Sequence, residues 1–413
     1  MMRAGQNPGT CSGEYSMHPL RLSSFTLTSA LGAGLAPTLA ALRARRSGLA
    51  RRPWETVDLD TCIGAVDQLD DFPVRGDLQA FDCRNNRLAQ LGLEQDEFSG
   101  AVHRAIQRYG ATRLGVFLGT STSGILSSEL AYRRRDPATG ALPSDHDYQH
   151  THNSFSLADF VRHYYGLLGP AHVVSTACSS SAKAFGSAQR MIRCGLIDAA
   201  IVGGVDSLCL TTLYGFNSLQ LVSTQPCKPF DTHRDGISMG EGAGFALVER
   251  ATHALAGDIV MSGIGESSDA HHMSSPHPEG LGARLAMQAA LRMAGLQAPD
   301  IDYINLHGTA TPSNDAAEDK AVSTLFGTDT PCSSSKGHTG HTLGAAGGME
   351  AIICALALRH DFAPAGVGTQ ELDPRLASRY LLSNLDQPMQ HVLSNSFGFG
   401  GSNCSLVFSK VAA

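Results

Sequence analysis

Three short segments carry the side chains that could do chemistry. In Val173-Val174-Ser175-Thr176-Ala177-Cys178-Ser179-Ser180-Ser181-Ala182 an apolar run gives way to small residues at a cysteine. A cysteine at a strand-to-helix junction is presented on a sharp turn. The unpaired N–H groups and positive dipole end of the following helix favour its thiolate, the form that attacks a carbonyl carbon. Cysteines in folded chains are more often small buried apolar residues, and Cys194, Cys209 and Cys354 are read that way. The second segment, Asn305-Leu306-His307-Gly308-Thr309-Ala310-Thr311-Pro312, sets a histidine at the end of an apolar run. The third, Lys336-Gly337-His338-Thr339-Gly340-His341-Thr342-Leu343-Gly344, sets another in a glycine-rich loop. One such histidine would be structural more often than not, but two beside an elbow cysteine suggest a shared site. Two neutral imidazoles can donate hydrogen bonds to an enolate, such as a malonyl thioester forms on losing CO₂. The pattern therefore points to His307 and His341 as the enolate site and to Cys178 as the nucleophile. It leaves open which histidine moves a proton. Lys336 either orients the histidines or pairs with Glu350.

These residues need an α/β scaffold, and strand-like and helix-like runs alternate along the whole chain. Strands are expected at 20–27, 114–118, 172–177, 199–202, 258–263, 301–306, 391–395 and 402–408, and helices at 37–46, 179–194, 283–294 and 347–359. Gly195 and Gly295 suit helix C-termini. The polar stretch 133–152 reads as a surface excursion. The order of elements is compatible with two similar halves, 17–253 with the nucleophile and 254–413 with both histidines. Residues 1–16 read as a disordered leader ahead of Met17.

Composition narrows the function classes. The 413-residue chain is 42 % hydrophobic and only 17 % charged, and has 44 glycines. A net charge of −7 argues against general nucleic-acid binding. Basic clusters at 43–52 and 133–135 are solvated faces or a docking patch for an acidic carrier protein. Ten cysteines without a CxxC pair fit reduced thiols in the cytoplasm better than a disulfide framework or a zinc site. No apolar run reaches the length of a membrane span. The glycine runs at 344–348 and 398–401 match no phosphate-binding loop. Asp269-Ala270-His271-His272-Met273 lacks the spacing of a helical metal site, so no metal is expected.

Taken in order, Thr176-Ala177-Cys178-Ser179-Ser180, Lys228-Pro229-Phe230-Asp231, Gly240-Glu241-Gly242-Ala243-Gly244, the His307 and Lys336–His341 segments, and Asn395-Ser396-Phe397-Gly398-Phe399-Gly400-Gly401-Ser402-Asn403 resemble the elongating β-ketoacyl-[acyl-carrier-protein] synthases. The resemblance implies a thiolase fold, with two duplicated βαβαβαββ halves in a five-layer αβαβα arrangement. It implies a Cys178–His307–His341 site supported by Lys336, Glu350, Asp315 and Asp269. It also implies an acyl oxyanion hole from the N–H groups of Cys178 and Phe399. Phe399, with Phe397 beside it, would gate the acyl pocket, and Thr309 and Thr311 would line the path of the carrier's phosphopantetheine arm. No cofactor would be bound by the chain itself. Initiating synthases, which use Cys–His–Asn, and thiolases, which need a second cysteine where Cys404 sits in a strand, fit less well. A silent chain-length-factor-like subunit would lack the nucleophile. Phe81-Asp82-Cys83-Arg84-Asn85-Asn86-Arg87 and Leu213-Tyr214-Gly215-Phe216-Asn217-Ser218-Leu219 are more similar to ketosynthases of aryl polyene or related polyketide clusters. That likeness makes a heterodimer with a chain-length-factor-like chain an alternative to the homodimer.

Overall fold

Strand β1 (Leu20–Ser29) runs antiparallel to β5 (Gly242–Arg250), which runs antiparallel to β4 (Ala199–Asp206). Beyond β4, β2 (Leu114–Gly119) and the edge strand β3 (Ala171–Val174) are parallel to it. The second half repeats this pattern. Strand β6 (Ile259–Ser268) is antiparallel to β10 (Ser402–Lys410) and β10 to β9 (His391–Gly398), with β7 (Tyr303–Asn305) and β8 (Pro331–Ser333) parallel beyond. The two orders, β1-β5-β4-β2-β3 and β6-β10-β9-β7-β8, coincide, so the chain is a structural duplication that side-chain patterning conceals. The sheets are joined where β1 meets β6 at Leu20↔Met261 and Arg21↔Val260. The computed structural model describes residues 19–412, and the expected leader lies outside them.

Eleven α-helices among the described residues fill the layers: α1 (Leu35–Arg43), α2 (Arg84–Leu93), α3 (Phe98–Tyr109), α4 (Ile125–Arg133), α5 (Ser156–Tyr165), α6 (Ser180–Arg193), α7 (Leu210–Ser218), α8 (Leu281–Ala294), α9 (Pro312–Phe326), α10 (Lys336–Thr339) and α11 (Ala346–His360). Helices α6 and α11 pack on each other between the two sheets. Helix α11 is buried from Ala346 to Leu358, as an apolar-all-round helix must be. Its Ile352, Ile353 and Leu356 join Phe185 and Ile192 of α6 in the central core. Helices α2, α3 and α5 cover the outer face of the first sheet through Leu88, Phe98, Val102 and Phe160. Helices α8 and α9 cover the second sheet through Met287, Leu291 and Val322. The result is the expected five-layer αβαβα order.

Local differences have physical causes. The 172–177 strand stops at Val174, because Ala177 takes φ 54° to turn the chain into α6. Helix α1 begins at Leu35, two residues before Pro37, which occupies the first turn where its missing N–H costs nothing. The 133–152 excursion is exposed for most of its length, yet the Thr151 carbonyl is buried against the Gly124 N–H and the Ser123 hydroxyl. Strand β5 and helix α9 have no counterpart in the sequence expectations. Glycines open the first, and buried carboxylates at Asp315, Glu318 and Asp319 break the apolar periodicity of the second. At Gly119, a Cβ would meet the Ser181 nitrogen at 2.2 Å, so only glycine lets the first turn of α6 sit against β2.

Candidate active site

The end of β3 and the start of α6 bracket the nucleophile. Ala177, left-handed at φ 54°, tips Cys178 out of the strand direction, a conformation that costs a non-glycine residue about 1 kcal/mol or more. The Ser180 hydroxyl accepts from the Thr176 N–H and donates to the Ala177 carbonyl, clamping the elbow. Cys178 is buried, and His341 Nε2 lies 3.1 Å from its sulfur. Burial pushes the thiol up to about 11, although the N–H groups of Phe399 and of Cys178 itself and the nearby Lys336 cation pull the other way. Desolvation thus opposes the helix terminus, and burial weighs against the expected thiolate.

Both histidines belong to the second half, but only His307 follows a strand directly. His307 follows β7, and its ring stands 5.5 Å from that of His341, edge to face at 81°. Lys336, expected in a loop, opens the short helix α10 instead, and His341 lies two residues after α10 ends. The Lys336 ammonium donates to Glu350 Oε1 at 2.5 Å and to His307 Nδ1 at 3.4 Å, so both offered roles hold. The contact also fixes a tautomer: with Nδ1 accepting, His307 carries its proton on Nε2. Burial first, and then the Lys336 charge, hold both imidazoles well below their usual range. Both are biased toward the neutral form. Burial raises the Glu350 carboxyl and Lys336 lowers it.

A cleft joins these groups, lined by Cys178, His307, His341, Thr309, Thr311, Phe397, Phe399 and Asp269 among others. The Phe397 ring lies 6.0 Å from that of His307. Phe399, half-buried, meets Phe216 of α7 at 5.4 Å. The Thr309 and Thr311 hydroxyls are 3.0 Å apart. Asp269 holds the 398–401 turn, donating its N–H to the Gly401 carbonyl and accepting from Asn403 Nδ2 at 3.0 Å. Lys336, Glu350 and Asp315 stand behind the wall. Asp315 accepts from the Ala310 and Phe230 N–H groups.

Sequence reasoning missed Glu318. Its two carboxylate oxygens accept from the His307 and Gly308 N–H groups at 2.8 and 2.7 Å, and burial pushes it up to about 7 against those donors. Its position one helical turn after Asp315 was the available signal, had α9 been recognised. Phe216 was noted only as part of a segment. Cys178, His307 and His341 place their ligand atoms within 4.8 Å of one another, close enough to grip one soft cation. The buried Lys336 ammonium behind them opposes a second positive charge there.

The sequence profile described as "Beta-ketoacyl synthase, N-terminal domain" matches residues 26–254, and that of the C-terminal domain matches 259–370. The chain belongs to the β-ketoacyl synthase family. It is similar to the mitochondrial 3-oxoacyl-[acyl-carrier-protein] synthase of Arabidopsis thaliana, 40 % identical over 266 residues that cover 60 % of this chain and 58 % of that protein. It is also similar to 3-oxoacyl-[acyl-carrier-protein] synthase 2 of Staphylococcus aureus, 34 % identical over 73 % of this chain and 76 % of that one. The match to the Arabidopsis relative thus spans less than two thirds of that protein's length. Among solved structures, a ketosynthase from Xenorhabdus doucetiae in complex with its chain length factor superposes with a TM-score of 0.88 at 38 % identity, covering 97 % of this chain and all of that one. A β-ketoacyl synthase from Burkholderia phymatum gives 0.84 at 29 % identity over 96 % of this chain and all of that one. The fold of this β-ketoacyl synthase family member is the thiolase-like fold of those ketosynthases. Among the described residues no helix is long and apolar enough to cross a membrane.

Proposed function

We propose that the chain is a β-ketoacyl-[acyl-carrier-protein] synthase that joins a Cys178-bound acyl group to malonyl-acyl carrier protein with loss of CO₂. The observation that carries this reading is one cleft holding a thiol in hydrogen-bond contact with one neutral imidazole and within reach of a second. In the first half-reaction Cys178 attacks an acyl-carrier thioester. His341 Nε2 takes the thiol proton and passes it to the departing carrier thiol, while the Cys178 and Phe399 N–H groups receive the negative oxygen. In the second, the malonyl thioester loses CO₂. His307 Nε2–H, with His341 in its Nε2–H tautomer, donates to the enolate oxygen. The carbanion attacks the Cys178 thioester, and the displaced thiolate takes up one proton from solvent, since the malonyl carboxylate leaves as CO₂ without one. The product is two carbons longer and stays on the carrier.

In this reading Lys336 keeps both imidazoles neutral and Glu350 balances its charge. Asp315 and Asp269 brace the two loops. Phe399, backed by Phe397, gates the acyl pocket, and Thr309 and Thr311 flank the phosphopantetheine arm brought by the carrier. The chain needs no cofactor of its own. Residues 17–253 and 254–413 are its two halves, and the reaction belongs to the cytoplasm. The Xenorhabdus similarity supports a specialised polyene or polyketide role, with a chain-length-factor-like subunit as partner. The silent-subunit alternative is disfavoured by the intact nucleophile, and the coenzyme A thiolase alternative by Cys404, buried within β10.

The deciding experiment is mass spectrometry after incubation with acyl-carrier protein, followed by CO₂ release from malonyl-carrier protein. An acyl adduct on Cys178 and carrier-dependent CO₂ are expected. No adduct where a known synthase is loaded would overturn the proposal, and turnover with coenzyme A thioesters alone would favour a thiolase.

A further inference from the structure

One segment, Cys227 to Gly240, touches Lys336, His341 and Asp315. The Cys227 thiol donates to the Lys336 carbonyl at 3.3 Å. The Ser238 carbonyl accepts from the His341 N–H at 2.7 Å, and the Gly240 N–H donates to the His341 carbonyl at 3.0 Å. The Phe230 N–H donates to Asp315 Oδ2 at 2.9 Å. Arg234 lies in the middle of this segment, its side chain only 4 % exposed. Its Nη1 donates to Asp373 Oδ2 at 2.7 Å and to the Asp231 carbonyl at 2.8 Å. Its Nε has no hydrogen-bond partner and sits 3.7 Å from Asp315 Oδ2.

Asp315 is fully buried, and its other oxygen accepts from the Ala310 N–H at 3.2 Å and from Asn314 Nδ2 at 3.2 Å. Ala310 is left-handed at φ 66°, which a non-glycine residue keeps only where its surroundings over-determine it. Its two neighbours, Thr309 and Thr311, form cleft wall. We propose that Arg234 is a positioning residue for the malonyl half-reaction: it holds the Asp315 carboxylate charged and seated, and Asp315 holds Ala310 so that Thr309 and Thr311 face the cleft. Burial drives the Asp315 carboxyl upward and Arg234 is among the groups that oppose this, which agrees with that division of labour. Asp373 anchors Arg234 from behind and is shared with Arg375. Cys178 is clamped by Ser180 and the Phe399 turn, neither of which Arg234 touches, so acylation of the sulfur by a donor that lacks the phosphopantetheine arm is spared.

The inference rests on the functional reading above, and its test separates the two half-reactions. Loading of Cys178 from a simple acyl thioester without the arm and CO₂ release from malonyl-carrier protein are measured for the parent, Arg234→Gln, Asp315→Asn and the double variant. Expected for Arg234→Gln is loading within about twofold of the parent, with decarboxylation down about tenfold or more and a raised KM for malonyl-carrier protein. The double variant should be no worse than Asp315→Asn alone. Loss of both half-reactions in parallel, or a double variant whose losses multiply, overturns the assignment. Should Arg234→Gln not fold, Asp373→Asn and Arg234→Lys are read the same way, with the same split at smaller size expected and parallel loss again overturning it. A parent that neither loads nor decarboxylates overturns the functional reading and this assignment with it. An active parent with unsplit variants overturns the assignment alone.

Discussion

At the residue scale, the site separates sulfur chemistry from enolate chemistry, and two substitutions probe that separation. Cys178→Ala removes the only group placed to carry the acyl chain, so condensation should fall by at least about a thousandfold. Decarboxylation of malonyl-carrier protein should persist, because the two imidazoles remain. Acyl-adduct mass spectrometry and CO₂ release read the two outcomes, and loss of both would show that the sulfur also shapes the enolate site. Replacing Lys336 and Glu350 together by glutamine removes a buried charge pair without stranding either partner. Burial and the Lys336 charge both depress the two histidines. Without the ammonium their pKa values rise, and less neutral imidazole remains at mildly acidic pH. The acid limb of the decarboxylation profile should therefore move to higher pH. A limb that stays in place would mean that burial alone sets the imidazoles. The residues of this site were legible from type and spacing: a cysteine before a helix, one histidine after an apolar run and a second in a glycine-rich loop. The protonation state of the sulfur was not legible, because it depends on how completely the folded chain excludes water around Cys178.

At the element scale, the geometry depends on close approach between backbone segments, and sequence patterns register this poorly. The duplicated strand order is exact in topology, but the matching strands β1 and β6, or β3 and β8, share little side-chain pattern. Strand β5 was hidden by its opening glycines, and α9 by three carboxylates that face inward to hold loops. Asp315 and Glu318 serve the 307–311 loop, while Asp319 accepts from the Ala377 and Ser378 N–H groups. A buried acid that binds backbone N–H groups looks, in sequence, like an exposed one. Glu318→Gln tests this arrangement. One amide nitrogen would face the N–H of either His307 or Gly308, leaving a buried donor opposed to a donor. A loss of about 1–3 kcal/mol in denaturant unfolding is expected, with decarboxylation falling more than acyl loading because His307 shifts. Gly119→Ala tests the other close contact. Its methyl group would meet the Ser181 backbone at 2.2 Å, pushing α6 off β2 and moving Cys178. Overpacking of this kind costs about 1–3 kcal/mol or more, and both half-reactions should suffer. An unchanged unfolding midpoint would mean that α6 can slide.

At the scale of the whole molecule, the first sheet ends in β3, four residues long and four residues before the nucleophile. The carbonyls of Pro170 and Val174 accept from β2 and its following residue, so in a parallel ladder the N–H and C=O of Val173 point the other way. His172 is exposed and Ala171, Val173 and Val174 are half-buried. A free strand edge so close to the site invites another chain. The similar Xenorhabdus ketosynthase was solved in complex with its chain length factor. Val173→Pro removes the outward N–H while leaving the bonds to β2 in place, since those come from the alternate residues. The variant should stay folded by circular dichroism, and it should lose co-elution with a co-expressed chain-length-factor-like subunit. Acyl loading should also fall, because Ser175 to Ala177 would lose the support of a strand continued across two chains. A variant that keeps its partner would show that association uses another face. A wild-type chain that pairs only with itself would assign the edge to a homodimer. If the edge is the interface, for either kind of partner, it couples assembly to catalysis through the five residues from Val174 to Cys178.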